Sequence, residues 1–189
     1  MTNFPIYFQL GLGHILNISA VDHLLFILSF LLGLNLSKLH KSIYLVTAFT
    51  LGHSITLALA TLKIIQINVN WIEFLIPITI AFSAGINILN PKKKNNSIKF
   101  FLIGGFGLIH GLGFSNYLQS LLGQEASVII PLLGFNLGVE IAQIIVVSTI
   151  LALFSIASNL NLKVNKVIQY GISIVIILLS LQMAFERLP

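Results

Sequence analysis

Six long apolar stretches, separated by short polar segments, limit this chain to a membrane fold. They lie near residues 5–34, 42–62, 71–90, 99–121, 127–157 and 166–185. A transmembrane helix needs about 20 mainly apolar residues, and each stretch meets that requirement. None of them alternates apolar and polar residues in the way that is typical of membrane strands. The sequence therefore predicts an all-α, polytopic bundle of about six transmembrane helices, forming a single integral membrane domain over residues 1–189.

The composition excludes several classes of protein. Charged residues make up 8% of the chain, against about 25% in soluble domains. There is no cysteine, which excludes disulfides, thiolate metal sites and cysteine nucleophiles. The net charge of +5 comes from lysines in the loops and forms no basic face. The predicted partner is therefore the lipid bilayer and not nucleic acid, and a homo-oligomer is compatible with the sequence.

Basic residues are distributed unevenly between the loops. Six crossings put both termini on one side of the membrane and loops one, three and five on the other. These three loops hold eight of the ten basic residues: Lys38, Lys41, Lys92, Lys93, Lys94, Lys99, Lys163 and Lys166. Cytoplasmic loops carry an excess of Lys and Arg. The lysine-rich side is therefore predicted to be cytoplasmic, with both termini outside.

Ionisable side chains lie inside the apolar stretches, where each costs about 2.5–3.5 kcal/mol to insert at mid-membrane. With a rise of about 1.5 Å per residue, their positions along the helices place them between the middle and the outer half of the membrane. Imidazole and carboxylate groups suit divalent Zn, Ni, Co or Fe. We therefore predict one metal site within the membrane, formed by His14, Asp22, His23, His53, His110 and Glu140. The alternative for any single histidine is a structural hydrogen bond to a neighbouring helix.

Polar neighbours of these residues are predicted to support the site. Asn136, Glu140 and Gln143 fall at i, i+4 and i+7 on the fifth stretch, and so share one helix face. Ser54 follows His53 directly. A histidine that binds a metal usually needs a partner for its other ring nitrogen. Ser54, Asn136 and Gln143 are predicted to provide such hydrogen bonds, with contacts between helices as the alternative role.

The first stretch raises a geometric problem. His14 and His23 are nine residues apart, which places them on opposite faces of a straight helix with 3.6 residues per turn. They reach one site only if the helix is interrupted. The segment LNISA at 16–20 contains Asn and Ser, which weaken a helix locally, so a break is predicted near 16–20.

A short internal similarity links the second and fourth stretches. FTLGHS at 49–54 and FGLIHG at 106–111 share the pattern Phe-x-Leu-x-His. Both helices are predicted to cross in the same direction, so the similarity suggests a parallel repeat in which His53 and His110 face each other.

Four segments in a fixed order carry a family resemblance. They are GHILNISAVDHLLFILSFLLGL, FTLGHSITLALATL, FGLIHGLGF and LLGFNLGVEIAQ, between about residues 11 and 145. Together they resemble the HupE/UreJ family of bacterial membrane proteins. The resemblance implies a nickel or cobalt permease in the bacterial inner membrane, associated with hydrogenase and urease maturation. The GHS segment and the His…Asp-His segment are also similar to motifs of larger nickel/cobalt transporter families. In those families a His and an Asp-His pair bind the metal, and the resemblance implies that His14, Asp22 and His23 are the corresponding residues here. The spacing His-x7-Asp-His is longer than the pattern of those transporters.

The leading hypothesis is a divalent-metal permease in which nickel or cobalt is the substrate, with no catalytic and no cofactor-binding residues. The rival is a zinc-dependent intramembrane hydrolase that resembles the alkaline-ceramidase-like enzymes. In the rival, His23, His53 and His110 hold zinc, and Asp22 or Glu140 acts as the base. A third hypothesis is a membrane assembly partner whose histidines are only structural. Because the chain lacks a nucleotide-binding motif, a permease of this kind takes its driving force from the membrane potential, protons or a partner.

Overall fold

The computed structural model describes residues 3–17, 21–32, 34–89, 96–122, 127–159 and 166–189. Over these residues the chain forms helices and no strands, so the predicted all-α fold is confirmed. The helices are α1 (Phe4–Leu16), α2 (Val21–Leu31), α3 (Leu39–Thr61), α4 (Val69–Leu89), α5 (Asn96–Gly113), α6 (Ser115–Leu122), α7 (Ile129–Asn159) and α8 (Lys166–Glu186). A short 3₁₀ helix, Leu36–Lys38, precedes α3.

Four helices are long and apolar enough to cross a membrane by themselves: α3, α4, α7 and α8. Two bent pairs, α1 with α2 and α5 with α6, are also long and apolar enough when each pair is taken together, as a broken span or a re-entrant loop. Counting each bent pair as one crossing gives the predicted total of six. The exposed faces carry large apolar side chains, such as Leu178 and Phe185 on α8. Such faces fit a lipid environment, and the protein is a multi-pass membrane protein.

The first crossing is interrupted, as the positions of its histidines require. α1 ends at Leu16, α2 begins at Val21, and their axes differ by 66°. The predicted break at 16–20 is therefore confirmed by the two flanking helices, while residues 18–20 lie outside the described part of the chain. The fourth crossing has a second break, which was not predicted. α5 ends at Gly113 and α6 begins at Ser115, with a bend of 47°.

Close approach of helix backbones organises the interior. α3 and α5 run in the same direction and touch through glycines: a Cβ atom on Gly52 would overlap the carbonyl oxygen of Gly104, and one on Gly107 would overlap the carbonyl oxygen of Phe49. α1 and α7 pack in the same way, because a Cβ atom on Gly138 would overlap the carbonyl oxygen of Phe8. Small residues at such spacings let membrane helices approach closely. The two close pairs hold the histidine-bearing helices side by side.

Candidate metal site

Four histidines from four helices meet between the two close helix pairs. The His14 ring, from the last turn of α1, lies with its centroid 4.5 Å from that of His23 on α2 and 6.3 Å from that of His53 on α3. The His23 centroid is in turn 5.8 Å from that of His110, in the last turn of α5. His23 and His14 face each other only because the chain turns between α1 and α2. The break therefore brings into contact two side chains that a continuous helix would keep apart.

The ring nitrogens of this cluster are buried and largely unpartnered. Buried nitrogens without a hydrogen-bond partner among the described residues are His14 Nε2, His23 Nδ1, His110 Nδ1 and both nitrogens of His53. His53 and His110 are almost fully buried, at 1% and 3% exposed. A buried polar atom without a partner costs about 1–3 kcal/mol. Several such atoms on neighbouring rings are compatible with a ligand that accepts lone pairs or supplies protons.

Asp22 contributes the carboxylate of the cluster. Its Oδ1 accepts a hydrogen bond of 3.0 Å from the backbone N–H of His23. The same oxygen lies 3.2 Å from His23 Nδ1, without the alignment of a hydrogen bond. Oδ2 lies 3.6 Å from Nη1 of Arg187, just beyond the end of α8. Asp22 therefore connects the histidines to a cation at the end of the chain.

Aromatic rings surround the histidines and exclude water from their inner side. Phe49 and Phe135 are 1% and 0% exposed. The Phe49 centroid lies 5.1 Å from that of His110, and the Phe135 centroid lies 5.6 Å from that of His14. Phe114, in the break between α5 and α6, packs with its ring centroid 4.1 Å from that of His14. An apolar wall of this kind lowers the local dielectric and strengthens interactions between the site and a cation.

A cavity of about 250 Å³ gives access to the cluster. Its lining residues are His14, Asp22, His23, Glu73, Ile76, His110, Gly113, Phe114 and Arg187. Glu73 lies in the second turn of α4 and Arg187 follows α8, so the cavity opens toward the membrane side that holds the chain termini. Two carboxylates and three histidines thus line a path from that side to the cluster.

Glu140 lies in a different environment from the histidines. Its carboxylate accepts hydrogen bonds from the hydroxyls of Thr47, at 2.6 Å, and Thr50 on α3. Thr50 is also 2.8 Å from Gln143 Oε1. These partners precede His53 by one or two turns of α3, so Glu140 forms a separate polar contact between α3 and α7.

The predicted supporting residues do not bond to the histidine rings. Ser54 donates to the carbonyl of Thr50, and Asn136 donates to that of Leu132, in each case within the same helix. Gln143 belongs to the Glu140 contact. The partner that does reach a ring is Thr79 on α4, whose hydroxyl lies 3.1 Å from His110 Nε2.

The ring positions are compatible with a shared cation. With metal–nitrogen distances of about 2.0–2.1 Å, two imidazoles on one tetrahedral ion have centroids about 5 Å apart. The observed separations of 4.5, 5.8 and 6.3 Å lie around this value. Within the described ranges, however, no three His, Asp or Glu side chains form a group that could hold a metal ion. Binding of a cation would therefore require the rings to move.

Three residues at the site were missed by sequence reasoning. Arg187 lies just beyond the last helix, and nothing in the sequence there signals a contact with Asp22. Phe114 lies in an unpredicted break. Thr79 was detectable in principle, since a hydroxyl within an apolar stretch needs a partner.

The chain was compared with known proteins. The family model for HupE / UreJ protein matches residues 1–187. Searches of the curated proteins and of the solved structures find no significant match. The matched region covers all four motifs and every histidine of the cluster, and the chain belongs to the HupE/UreJ family.

Proposed function

We propose that this protein is a divalent-metal permease whose substrate is nickel or cobalt. The family is associated with nickel and cobalt transport. The observation that carries the proposal is the group of buried, unpartnered nitrogens on His14, His23, His53 and His110 beside the Asp22 carboxylate. Neutral imidazole and carboxylate are suitable ligands for both metals.

A permease must bind its substrate and then release it, whereas a resident catalytic metal is held by ligands already in place. Here the rings lie near one another, but no three of the described His, Asp or Glu side chains are arranged to hold a metal ion, so binding requires the rings to move. The cation enters through the cavity, exchanges its waters for imidazole nitrogens and carboxylate oxygens, and leaves on the other side.

Asp22 and Arg187 give the entrance its electrostatics. The Asp22 carboxylate attracts the cation, and in its absence the Arg187 guanidinium, 3.6 Å away, balances the charge. The side chain of Arg187 is 32% exposed and that of Asp22 17%, so the guanidinium is the more accessible of the two to water. An arriving divalent cation, which carries twice the charge of the guanidinium, competes with Arg187 for the carboxylate.

The membrane potential supplies a sufficient driving force. We infer that the lysine-rich side is cytoplasmic and that both termini lie outside the bacterial inner membrane. A doubly charged ion moving inward through 100 mV then gains about 4.6 kcal/mol, at about 2.3 kcal/mol per charge. Reporter enzymes fused to the C-terminus test this orientation: one that is active only outside the cytoplasm should be active, and a cytoplasmic reporter should not.

Radiometal uptake tests the proposed function. Vesicles containing the wild-type protein should accumulate nickel or cobalt, His53→Ala should lose most of this uptake, and His40→Ala should retain it. His40 is the matched control, because it is an exposed histidine next to the lysines of the first loop. Metal analysis of the purified protein completes the test. Tightly held, stoichiometric zinc without uptake would favour the hydrolase, and neither metal nor uptake would favour a structural partner.

A further inference from the structure

Two sequence patterns occur once in each half of the chain. Gly-Leu-x-His appears at 11–14 on α1 and again at 107–110 on α5. Phe-x-Leu-Gly-x-x-Ile appears at 49–55 on α3 and again at 135–141 on α7. The patterns occur in the same order, so α1 corresponds to α5 and α3 corresponds to α7. This pairing differs from the predicted similarity between α3 and α5.

The helix contacts repeat with the same correspondence. A Cβ atom on Gly11 would meet the carbonyl of Phe135 and the backbone nitrogen four residues later. A Cβ atom on Gly107 would meet the carbonyl of Phe49 and, again, the nitrogen four residues later. The two contacts involve the same types of backbone atom. The two glycines are 96 residues apart in the sequence, and the two phenylalanines are 86 residues apart. The two close helix pairs, α1 with α7 and α5 with α3, are therefore copies of one arrangement.

The remaining elements complete the correspondence. Each half begins with a bent pair, α1 with α2 and α5 with α6. Each half ends with a helix of 21 residues, α4 and α8. With α4 and α8 aligned at their ends, the buried Ser83 corresponds to the buried Ser180. Each half crosses the membrane three times, so the second half runs in the opposite direction to the first.

The two halves differ in the packing of the last helix. α4 packs against α2 and α5, its neighbours across the cluster. Among the described residues, α8 makes no comparable contact with the corresponding helices, α6 and α1. The surfaces of α1 and α6 instead line an open groove of about 530 Å³, which includes Gln9, His14 and Tyr117. In a transporter built from an inverted repeat, the last helix of one half is packed while that of the other half leaves a groove open. This is one of two related states, and in the other state the two halves exchange these roles.

The geometry points to alternating access, in which either α4 or α8, but not both, packs against its partner helices in the other half of the repeat. The release path then lies between α2 and α4. This inference rests on the proposed transport function. In the present state α4 closes the side opposite the termini, and the cavity opens on the terminal side. In the other state α8 packs against α1 and α6, α4 separates from α2, and the cation leaves between them.

Polar contacts close the release path in this structure. Ser29 Oγ on α2 donates to Ser83 Oγ on α4 over 2.7 Å. One turn further along α4, the Asn87 amide donates to the Ser29 carbonyl. These contacts lie near the ends of both helices, beyond the histidines as seen from the terminal side. They form a closed gate that must separate once per transport cycle.

A disulfide across this gate provides a direct test. The chain has no cysteine, so Ser29→Cys/Ser83→Cys places the only two thiols of the molecule within bonding reach. We expect oxidation to lower metal uptake at least tenfold and reduction to restore it. Ser29→Ala/Ser83→Cys is the matched control, because it alters the same two positions but carries a single thiol that cannot form the bridge. Oxidation should leave its uptake the same as in the reduced form.

The outcomes separate this inference from the proposed function. If the oxidised gate pair transports as fast as the reduced pair, α2 and α4 do not separate and the inference is wrong, while transport stands. If the wild-type protein takes up no metal, the proposed function fails, and the gate must be judged by a measurement that does not depend on transport.

Thiol labelling is that measurement. Ser83→Cys alone should react with a membrane-impermeant thiol reagent added to the side opposite the termini. Leu89→Cys, at the exposed end of α4, reports whether the reagent reaches that side. Slow but complete labelling of Ser83→Cys is expected, because a buried thiol reacts only when water reaches it. An unreacted Ser83→Cys after full reaction of Leu89→Cys, with and without metal, would overturn the inference.

Discussion

The contact between α3 and α5 yields a stability prediction whose size follows from the structure. Gly107→Ala adds a methyl group that would overlap the Phe49 carbonyl oxygen, and it would lie 3.0 Å from the carbonyl carbon of Phe49 and 3.1 Å from the backbone nitrogen of His53. Ordinary contacts between non-bonded carbon atoms are about 3.5–4.0 Å, so the helices must move apart. Overpacking of this kind costs about 1–3 kcal/mol.

Gly105→Ala is a matched control on the same helix. A Cβ atom there meets no other atom within 4 Å. Both substitutions gain the same helix propensity, about 1 kcal/mol relative to glycine, so this gain cancels when the two variants are compared. The difference between them isolates the packing cost. At about 2–4 °C per kcal/mol for a chain of this size, Gly107→Ala should melt about 2–12 °C below Gly105→Ala.

Thermal unfolding of both variants in one detergent is the assay, with metal uptake as a second readout. Separation of α3 from α5 also moves His53 away from His110, so uptake by Gly107→Ala should fall while Gly105→Ala retains it. Equal melting temperatures for the two variants would refute the close approach of these helices. The glycine-based account of the site would then fail as well.

Three further substitutions test individual parts of the site. Asp22→Asn should weaken nickel binding to the purified protein at least tenfold, or about 1.4 kcal/mol, in equilibrium dialysis, because it removes the carboxylate beside the histidines. Thr79→Val should weaken binding about 10- to 100-fold, since it leaves His110 without its ring partner, and Thr79→Ser should restore most of the affinity in the same assay. Glu140→Gln should leave binding within about twofold in that dialysis, because Glu140 bonds to Thr50 and not to the histidines; a tenfold loss would place it at the metal.

The apolar segments that can cross the membrane and the first break were predictable, because both follow from the order of residues along the chain. Apolar length decides whether a segment can cross a bilayer, and the polar separators were short and clear. The first break followed from helical periodicity: His14 and His23 cannot share a site on a straight helix. The second break left no comparable signal, since a run such as GFGLIHGLGF is also compatible with a continuous helix.

The arrangement of side chains around the site was less predictable, because the depth of a residue in the membrane does not determine which neighbouring helix its side chain faces. Glu140 lies at a depth similar to that of His53, yet it faces Thr47 and Thr50 on the adjacent side of α3. The contact of Arg187 with Asp22 depends on how the last helix packs, which no local pattern encodes. The short similarity between α3 and α5 stays a prediction, because six residues cannot separate a repeat from two glycine-rich contact surfaces.

The first helix break also explains why the cluster is suited to a cation and not to an anion. α1 and α5 both end beside the histidines, His14 being two residues before the end of α1 and His110 three residues before the end of α5. The carboxyl end of a helix carries about half a negative charge and the amino end about half a positive charge. Because α2 and α6 begin at the same two breaks, the charges of these helix ends offset one another. The Asp22 carboxylate, in the first turn of α2, adds a full negative charge. The break that brings His14 and His23 together therefore also places beside them the charge that favours a cation.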